Sequence, residues 1–334
     1  MMSKEIVIIM GFPAAGKSTL VQKYEKQGYA RFNRDDMGGS LKGLAKRVEE
    51  ALEKTVTDVV LDNTYGTKEN RRVVIDLAEK FGMKSKCVWL DTSIEDAQFN
   101  SSSRIMMTVF GMGRTFVEEI MGKVIPHKML GPDSKKIIDS PDNIPAIALF
   151  AYKKAFEKPD VKEGFDGVEI AKFKRNFPTV YTEKAILLDY DGTLRVTKSG
   201  EKYPCDPDDV EVLPNRKEVL QRWKDMGYLL LGVSNQSGIE KGKLDERAAI
   251  ACFDRTNELV GHDIEYQYCP HHSFPIRCYC RKPMPGLGVY FVHKHLLNPE
   301  ECIMVGDATS DKTFAKRCGF KFEKADDFFE IKLK

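Results

Sequence analysis

Short unbroken apolar runs alternate along the chain with stretches whose apolar positions recur every three to four residues, and the alternation happens twice. In the first half, residues 6–10 (IVIIM), GYARF (28–32), VVLDNT (59–64), KCVWLDTS (86–93) and GVEIAKF (167–173) read as strands. Helical spacing falls between them near 41–54, 68–81 and 145–156. Further on, AILL (185–188), YLLLGVSN (228–235) and CIMVGDA (302–308) read as strands, with a helical stretch near 239–260. Apolar runs that do not alternate suit strands buried on both faces, as in parallel sheets covered by helices. The expected fold class is α/β in two domains, each built on a parallel sheet. RNFPTVYTEK (175–184) reads as the linker, which gives domains over 1–178 and 183–334.

Composition narrows the setting. A chain of 334 residues, 42% hydrophobic, is too long for one ordinary core and too apolar for global disorder. No apolar run approaches the roughly 20 residues that span a bilayer, and the stretch after Lys4 is too short for the core of a signal peptide. No membrane association is expected. Charge is nearly balanced, with 52 Lys and Arg against 50 Asp and Glu. A duplex-coating protein would carry a strong basic excess; a protein that handles only a strand end would not need one. The eight cysteines cluster toward the C-terminal end, which suggests a metal site rather than a disulfide scaffold. A reducing compartment, cytoplasmic or nuclear, is expected.

Three motifs carry chemistry. Gly11-Phe-Pro-Ala14-Ala15-Gly16-Lys17-Ser18 fits G-x-x-x-x-G-K-[ST] between a strand and a helix. Its backbone N–H groups and the helix dipole can point at a triphosphate, Lys17 can reach the β- and γ-phosphates, and Ser18 can bind Mg²⁺. Asp189-Tyr190-Asp191-Gly192-Thr193 directly follows AILL, so both aspartates fall at a strand's C-terminal end, where open α/β sheets bind ligands. One can attack phosphorus while the other protonates the leaving oxygen and later activates water. Two carboxylates facing a phosphate dianion require a hard cation, most plausibly Mg²⁺, with Asp307 as a further carboxylate and Asp311 orienting the site. Finally, Cys269-Pro-His271 and Cys278-Tyr-Cys280 place three thiolates and one imidazole within twelve residues, a donor set suited to a closed structural Zn²⁺ site. His272 is expected beside that cluster or at the surface.

GFPAAGKST, FNRDDMG, VVLDNTYGTKENRR and IPAIALFAYKKAFEKPDVKEGFDGVEIAKF resemble, in order, the kinase module of polynucleotide 5′-kinase/3′-phosphatases over most of residues 5–175. The resemblance implies that Asp35 is the general base for a 5′-hydroxyl, that Lys17, Ser18 and Thr19 handle ATP and Mg²⁺, and that Asp62, Asn63 and Thr64 lie near the acceptor. Arg71 and Arg72 are expected on a helix face. The chain departs from the phage-type kinases at Gly38 and Gly39, where those carry an arginine, and in an insertion-like stretch at about 104–143. Within that stretch Arg104 and Arg114 are the expected lid cations, since phosphoryl transfer needs positive charge on the developing equatorial oxygens.

D-x-D-G-T at 189–193, Ser234 at a strand end, Lys282 and G-D-x-x-x-D at 306–311 resemble the haloacid dehalogenase superfamily. The likeness implies Asp189 as nucleophile, Asp191 as acid and base, Thr193, Ser234, Asn235 and Lys282 as phosphate contacts, and Asp189, Asp191, Asp307 and Asp311 around Mg²⁺. VSNQSGIEKG (233–242) and CPHHSFPIRCYCRKPMPG look like its heptose-bisphosphate and histidinol-phosphate phosphatase branch, with zinc in a loop beside the active site and Arg281 on substrate phosphate. The gaps from Asp189 to Ser234 and from Ser234 to Lys282 are too short for a large cap domain, so an open, capless Rossmann-like phosphatase domain is expected. The expected function is nucleic-acid end healing on DNA or RNA: ATP-dependent phosphorylation of 5′-hydroxyls and removal of 3′-phosphates, with a ligase as a possible partner. The alternatives are a kinase/phosphatase of sugar or nucleoside phosphates and an end-binding scaffold without turnover.

Overall fold

Glu5–Met10 (β1) is apolar throughout after Glu5 because both of its faces are covered. In the computed structural model, which describes residues 4–55, 57–109, 144–275 and 278–330, every residue from Ile6 to Met10 is fully buried. Ile6, Ile8 and Met10 pack on one side with Leu44, Val48 and Leu52; Val7 and Ile9 pack on the other with Val21 and Val60. Successive strand side chains point to opposite faces, so only an uninterrupted apolar run can serve a sheet covered twice. Each such side chain contributes about 1.5–3 kcal/mol of transfer free energy.

Around β1 stand Ala30–Phe32 (β2), Val59–Asp62 (β3), Lys84–Asp91 (β4) and Gly167–Lys172 (β5), in the order β2-β3-β1-β4-β5. All neighbours pair in parallel. The helices are Lys17–Glu25 (α1), Arg34–Met37 (α2), Leu41–Lys54 (α3), Lys68–Lys80 (α4), Ile94–Arg104 (α5) and Ala146–Ala155 (α6). Ser40 caps α3 by accepting from Gly43 N, and Thr67 caps α4 by accepting from Asn70 N.

Arg72 is exposed on α4 as expected, but Arg71 is not. Its position forms one stripe with Val74, Ile75 and Ala78, the i, i+3, i+4, i+7 spacing of a core-facing helix, and it is 0% exposed. The guanidinium makes a bidentate pair with Glu163 (2.8 and 2.7 Å) and donates to Tyr65 O and Glu157 O, both at 3.0 Å. Arg71→Ala should lower the stability of this unit by about 3–5 kcal/mol, because a half-buried Glu163 and two carbonyls lose their donor. Urea unfolding followed at Trp89 in a Trp223→Phe background reads it; a loss under about 1 kcal/mol would show the pair to be dispensable.

The second sheet is built likewise on Ala185–Leu188 (β6), every residue of which is buried. After it come a two-stranded antiparallel ribbon, Arg195–Thr197 (β7) with Val210–Val212 (β8), then Arg216–Asp225 (α7), Leu229–Asn235 (β9), Glu246–Val260 (α8) and Glu265–Cys269 (β10). Gly286–His295 (α9), Ile303–Gly306 (β11), Thr309–Cys318 (α10), Lys321–Lys324 (β12) and Ala325–Phe329 (α11) complete it. The order is β10-β9-β6-β11-β12, all parallel. The helix expected from 239 starts only at Glu246: Gly242 takes φ +64° in a turn, and Asp245 caps the helix by accepting from Arg247 N and Ala248 N. Among the described residues no separate cap module stands between β6 and β9 or between β9 and Lys282.

The described residues within Met1–Asn100 and Ile147–Arg175 form one unit, and those within Ser101–Ala146 and Asn176–Lys334 a second. In the second sheet the chain runs outward from β6 through β9 to β10 and returns to fill the other side; in the first it leaves β1 for the edge strand β2, comes back inward through β3 and crosses to β4 and β5. The strand order therefore reverses between β1 and β4 and between β6 and β11, and the crevice outside the C-terminal strand ends at such a reversal is where open α/β sheets place ligands. No helix among the described residues is long and apolar enough to cross a membrane.

Candidate active sites

The G-x-x-x-x-G-K-S segment leaves β1 at the first reversal. Gly11 takes φ +154°, and a Cβ there would meet Leu90 O of β4 at 2.9 Å, so only glycine lets the loop pass this closely. Ala14 O accepts from Asn100 Nδ2 (2.9 Å) and Ala15 O from Thr92 Oγ1 (3.0 Å), which fixes the loop's carbonyls, and Ala15 N closes the turn on Phe12 O (3.1 Å). Gly16, with φ +93°, caps α1 without a side chain, leaving the helix N-terminus to an anion. Lys17 is buried with Nζ on Gly11 O (3.1 Å) and Phe12 O (2.7 Å), while Ser18 and Thr19 are exposed. This cradle fits a nucleotide triphosphate with its Mg²⁺, Ser18 and Thr19 offering hydroxyls beside it.

Asn33, Arg34, Asp35 and Asp36 sit just past β2. Asn33 Oδ1 accepts from Asp35 N (2.7 Å) and Asp36 N (3.2 Å), while its Nδ2 donates to Asp62 O (2.7 Å). Asp35 is largely exposed and pairs with Arg34 (2.9 Å). Asp62, at the end of β3, is 3% exposed and held by Arg31 at 2.7 Å. Asn63 Oδ1 accepts from Arg34 N (3.1 Å), and Thr64 O accepts from Tyr152 Oη (3.1 Å). The two strand-end motifs are thus tied together, with the Asp35–Arg34 pair facing solvent. Gly38 and Gly39 take φ +73° and +90°, and Arg47 reaches from α3 to Met37 O at 2.5 Å. Arg47 is a basic group beside the Asp35–Asp36 segment that motif reading misses, because ten residues separate it from Met37. Arg104 ends α5 and is half-buried; Arg114 lies outside the described residues.

At the second reversal, Asp189 follows β6 and Asp307 follows β11, the two strands that flank it. Oxygens of Asp189, Asp307 and Asp311 all lie within 4.8 Å of one another. Lys282 Nζ reaches Asp189 (2.7 Å), Asp311 (2.7 Å) and Val233 O (2.9 Å). Burial pushes the Asp189 carboxyl up to about 7; Lys282 opposes the rise and Asp311 adds to it. Burial works against the Lys282 ammonium as well, but Asp189 and then Asp311 outweigh it and hold its pKa above the ordinary value. One ammonium among three carboxylates leaves net negative charge, so this all-oxygen set fits a hard dication such as Mg²⁺. Gly192, at φ +84°, clears the space: a Cβ there would lie 2.5 Å from Asp307 Oδ2.

Asp191 stands apart from that cluster. Its Oδ1 accepts from Arg195 Nε (2.8 Å) and its Oδ2 from Gln236 Nε2 (3.0 Å). Gln236 Nε2 also donates to Ser234 Oγ at 2.9 Å. Thr193 is fully buried. Asn235 exchanges two bonds of 2.9 Å with the Lys282 backbone, through Nδ2 to O and Oδ1 from N, so it positions the lysine. Arg281 is half-buried and donates to His271 O at 3.0 Å.

Cys269, His271, Cys278 and Cys280 converge, all buried, with donor atoms within 4.8 Å of one another. Cys269 Sγ lies 3.8 Å from Cys278 Sγ and 3.3 Å from Cys280 Sγ, and His271 Nδ1 lies 3.4 and 3.2 Å from the sulfurs of Cys269 and Cys280. Metal–sulfur bonds of about 2.3 Å give a tetrahedral edge of about 3.8 Å. Burial holds the Cys269 and Cys280 thiols well up, whereas hydrogen bonds from Cys269 and Cys280 draw Cys278 down. Donor chemistry and spacing both fit Zn²⁺. His272 is half-buried, its backbone N–H on Glu240.

A P-loop at one sheet reversal and a carboxylate–lysine pocket at the other define a chain with one kinase-type and one phosphatase-type domain. Residues 6–104 match the AAA domain family and residues 184–333 the polynucleotide kinase 3 phosphatase family. The match to the latter takes in 150 residues, a little under half of the chain. The bifunctional polynucleotide phosphatase/kinase of Schizosaccharomyces pombe (strain 972) is 33% identical over 174 residues, 51% of this chain and 34% of that protein. The D-glycero-beta-D-manno-heptose-1,7-bisphosphate 7-phosphatase of Pasteurella multocida (strain Pm70) is 34% identical over 152 residues, 42% of this chain and 79% of that one. The chain thus spans about a third of the length of the first relative and most of the second. A chain in the structure of the Pnkp1/Rnl/Hen1 RNA repair complex aligns with 97% of this chain and 96% of its own length at 16% identity and a TM-score of 0.32, too slight a likeness to carry any argument.

Proposed function

We propose that this protein heals nucleic-acid ends, phosphorylating 5′-hydroxyls with ATP in residues 1–178 and removing 3′-phosphates in residues 183–334. What carries the reading is the polynucleotide kinase 3 phosphatase match over 184–333 in a chain that also holds a P-loop with an acidic strand-end motif beside it. In the kinase half, Asp35 takes the proton of the 5′-hydroxyl as its oxygen bonds to the γ-phosphorus, the bridging P–O bond breaks and ADP leaves. Lys17 and the cradle N–H groups hold the phosphates.

In the phosphatase half, Asp189 attacks phosphorus and the P–O3′ bond breaks, with the leaving oxygen taking a proton from Asp191. Water then attacks the aspartyl phosphate while Asp191 takes its proton. Thr193, Ser234, Lys282 and Arg281 hold the transferred phosphate, with Asn235 setting Lys282. Bound Mg²⁺ would offset the charge that Asp189, Asp307 and Asp311 share with the phosphate. The products, a 5′-phosphate and a 3′-hydroxyl, are what a ligase joins, and an intracellular, reducing setting suits the cysteine-rich metal loop.

The test offers [γ-³²P]ATP with a 5′-hydroxyl oligonucleotide and, separately, a 3′-phosphorylated one. Label on the first and phosphate from the second are expected. The heptose-bisphosphatase relative favours a second reading, a small sugar phosphate at the phosphatase site; activity confined to monomeric sugar phosphates would replace the first reading with that one. Metal analysis should find one zinc per chain on Cys269, His271, Cys278 and Cys280. Stripping it with a strong chelator should cost about tenfold or more in phosphate release, through disorder of the loop leading to Lys282, before label transfer responds. Zinc-free protein with full phosphatase activity would remove this role.

A further inference from the structure

Asp191 is a short carboxylate on a loop, and both its oxygens are held. Arg195, 1% exposed, donates Nε to Oδ1, and its other arm is fixed by Nη1 to Thr256 Oγ1 at 3.0 Å, with the Phe253 ring centroid 4.9 Å from the guanidinium carbon. Thr256 is itself fixed through Oγ1–H to Cys252 O at 2.6 Å. Gln236, 4% exposed, donates to Oδ2, and the same amide nitrogen donates to Ser234 Oγ. Asp191, Arg195 and Lys202 line an open cleft of about 280 Å³. Each carboxyl oxygen has two lone-pair sites, so one on each remains for a proton exchanged with a group in that cleft.

We infer that Arg195 and Gln236 are positioning residues that fix the Asp191 carboxyl against the leaving oxygen, with Gln236 also setting it in register with Ser234. This rests on the reading of Asp191 as the group that protonates the leaving oxygen. Proton transfer needs heavy atoms at about 2.6–3.2 Å, and a carboxyl free to rotate about two torsions would spend most of its time elsewhere. Both holders are tied to elements distant in sequence from Asp191: Gln236 follows β9 directly, and Arg195 is tied through Thr256 to α8.

The test compares kcat/KM for a nucleoside 3′-phosphate, whose alkoxide leaves poorly without a proton, with that for p-nitrophenyl phosphate, whose phenolate leaves unaided. The kcat/KM ratio reports the step in which the ester bond breaks, before water enters. Gln236→Leu, close to isosteric, should lower the nucleoside-to-nitrophenyl ratio by about tenfold, and Arg195→Lys should lower it in the same direction; Asp191→Asn sets the full range, about 10²-fold or more. Equal losses on both substrates for Gln236→Leu would make the residue merely structural and overturn the inference, whatever Arg195→Lys does to folding. If Asp191→Asn shifts the ratio and Gln236→Leu does not, the clamp alone fails. If Asp191→Asn leaves the ratio unchanged, the reading of Asp191 fails and takes the clamp with it.

Discussion

Asp189→Asn is expected to reduce phosphate release from a 3′-phosphorylated oligonucleotide by about 10⁴-fold or more while leaving label transfer to a 5′-hydroxyl end within twofold. The amide keeps the shape of the side chain but cannot form the phosphoester, and no nearby group can take its place: Asp311 is fully buried against Lys282, and Asp191 is held by Arg195 and Gln236. Removing the charge also frees Lys282 from one of two carboxylate partners, so ground-state phosphate binding should persist or tighten while turnover is lost. The kinase side is spared because its cradle and acidic motif are built from β1, β2, β3, the segments that follow them, and the supporting groups of Leu90, Thr92 and Asn100. Phosphate release assayed beside label transfer on one preparation gives both numbers. More than about one per cent of residual phosphatase, or a parallel loss of kinase, would contradict Asp189 as the nucleophile of a separate site.

Such separation was partly legible in the sequence. Both pockets stand at the C-terminal end of an uninterrupted apolar strand, and such runs are readable because a sheet covered on both faces needs apolar residues at every position, as in IVIIM and AILL. Less regular elements were not readable. The β7–β8 ribbon has three residues per strand, and β12 alternates Lys, Phe, Glu and Lys at a sheet edge, so neither has an apolar run to announce it. The turn at 236–244 keeps enough apolar residues to imitate helix until Gly242 and the Asp245 cap are weighed together.

Site residues divide along the same line. Groups that act on phosphorus carry motif spacing because chemistry fixes their identity. Groups that hold those groups need only reach them, and Arg31 and Arg47 therefore carry no motif, while Gln236 lies inside VSNQSGIEKG without its own role being marked. Two signals were present all the same. Gln236 stands two residues after Ser234, on the same side of an extended segment, and Arg195 stands four after Asp191. Arg71 could have been placed as well, since a charged residue on the Val74, Ile75 and Ala78 stripe must find a buried partner.

Lys17→Ala should abolish label transfer by about 10³-fold or more and leave phosphate release from 3′-phosphorylated ends intact. The lysine follows a left-handed Gly16, which turns the first residue of α1 back beneath the loop, so its ammonium lies on the carbonyls of Gly11 and Phe12 rather than in solvent. From there only a change of side-chain torsion carries it to the β- and γ-oxygens, and each of those oxygens gains negative character as the bridging bond breaks. The interaction therefore strengthens toward the transition state, and its loss should fall mainly on kcat rather than on the KM for ATP. Lys17→Arg should not restore the rate, because a planar guanidinium fork cannot take the place of a compact ammonium lodged on the carbonyls of Gly11 and Phe12 at 3.1 and 2.7 Å. Initial rates across ATP concentrations separate the two constants. A variant whose kcat stays within threefold, with only KM raised, would reduce Lys17 to a ground-state contact and leave the loop's N–H groups as the source of transition-state stabilisation.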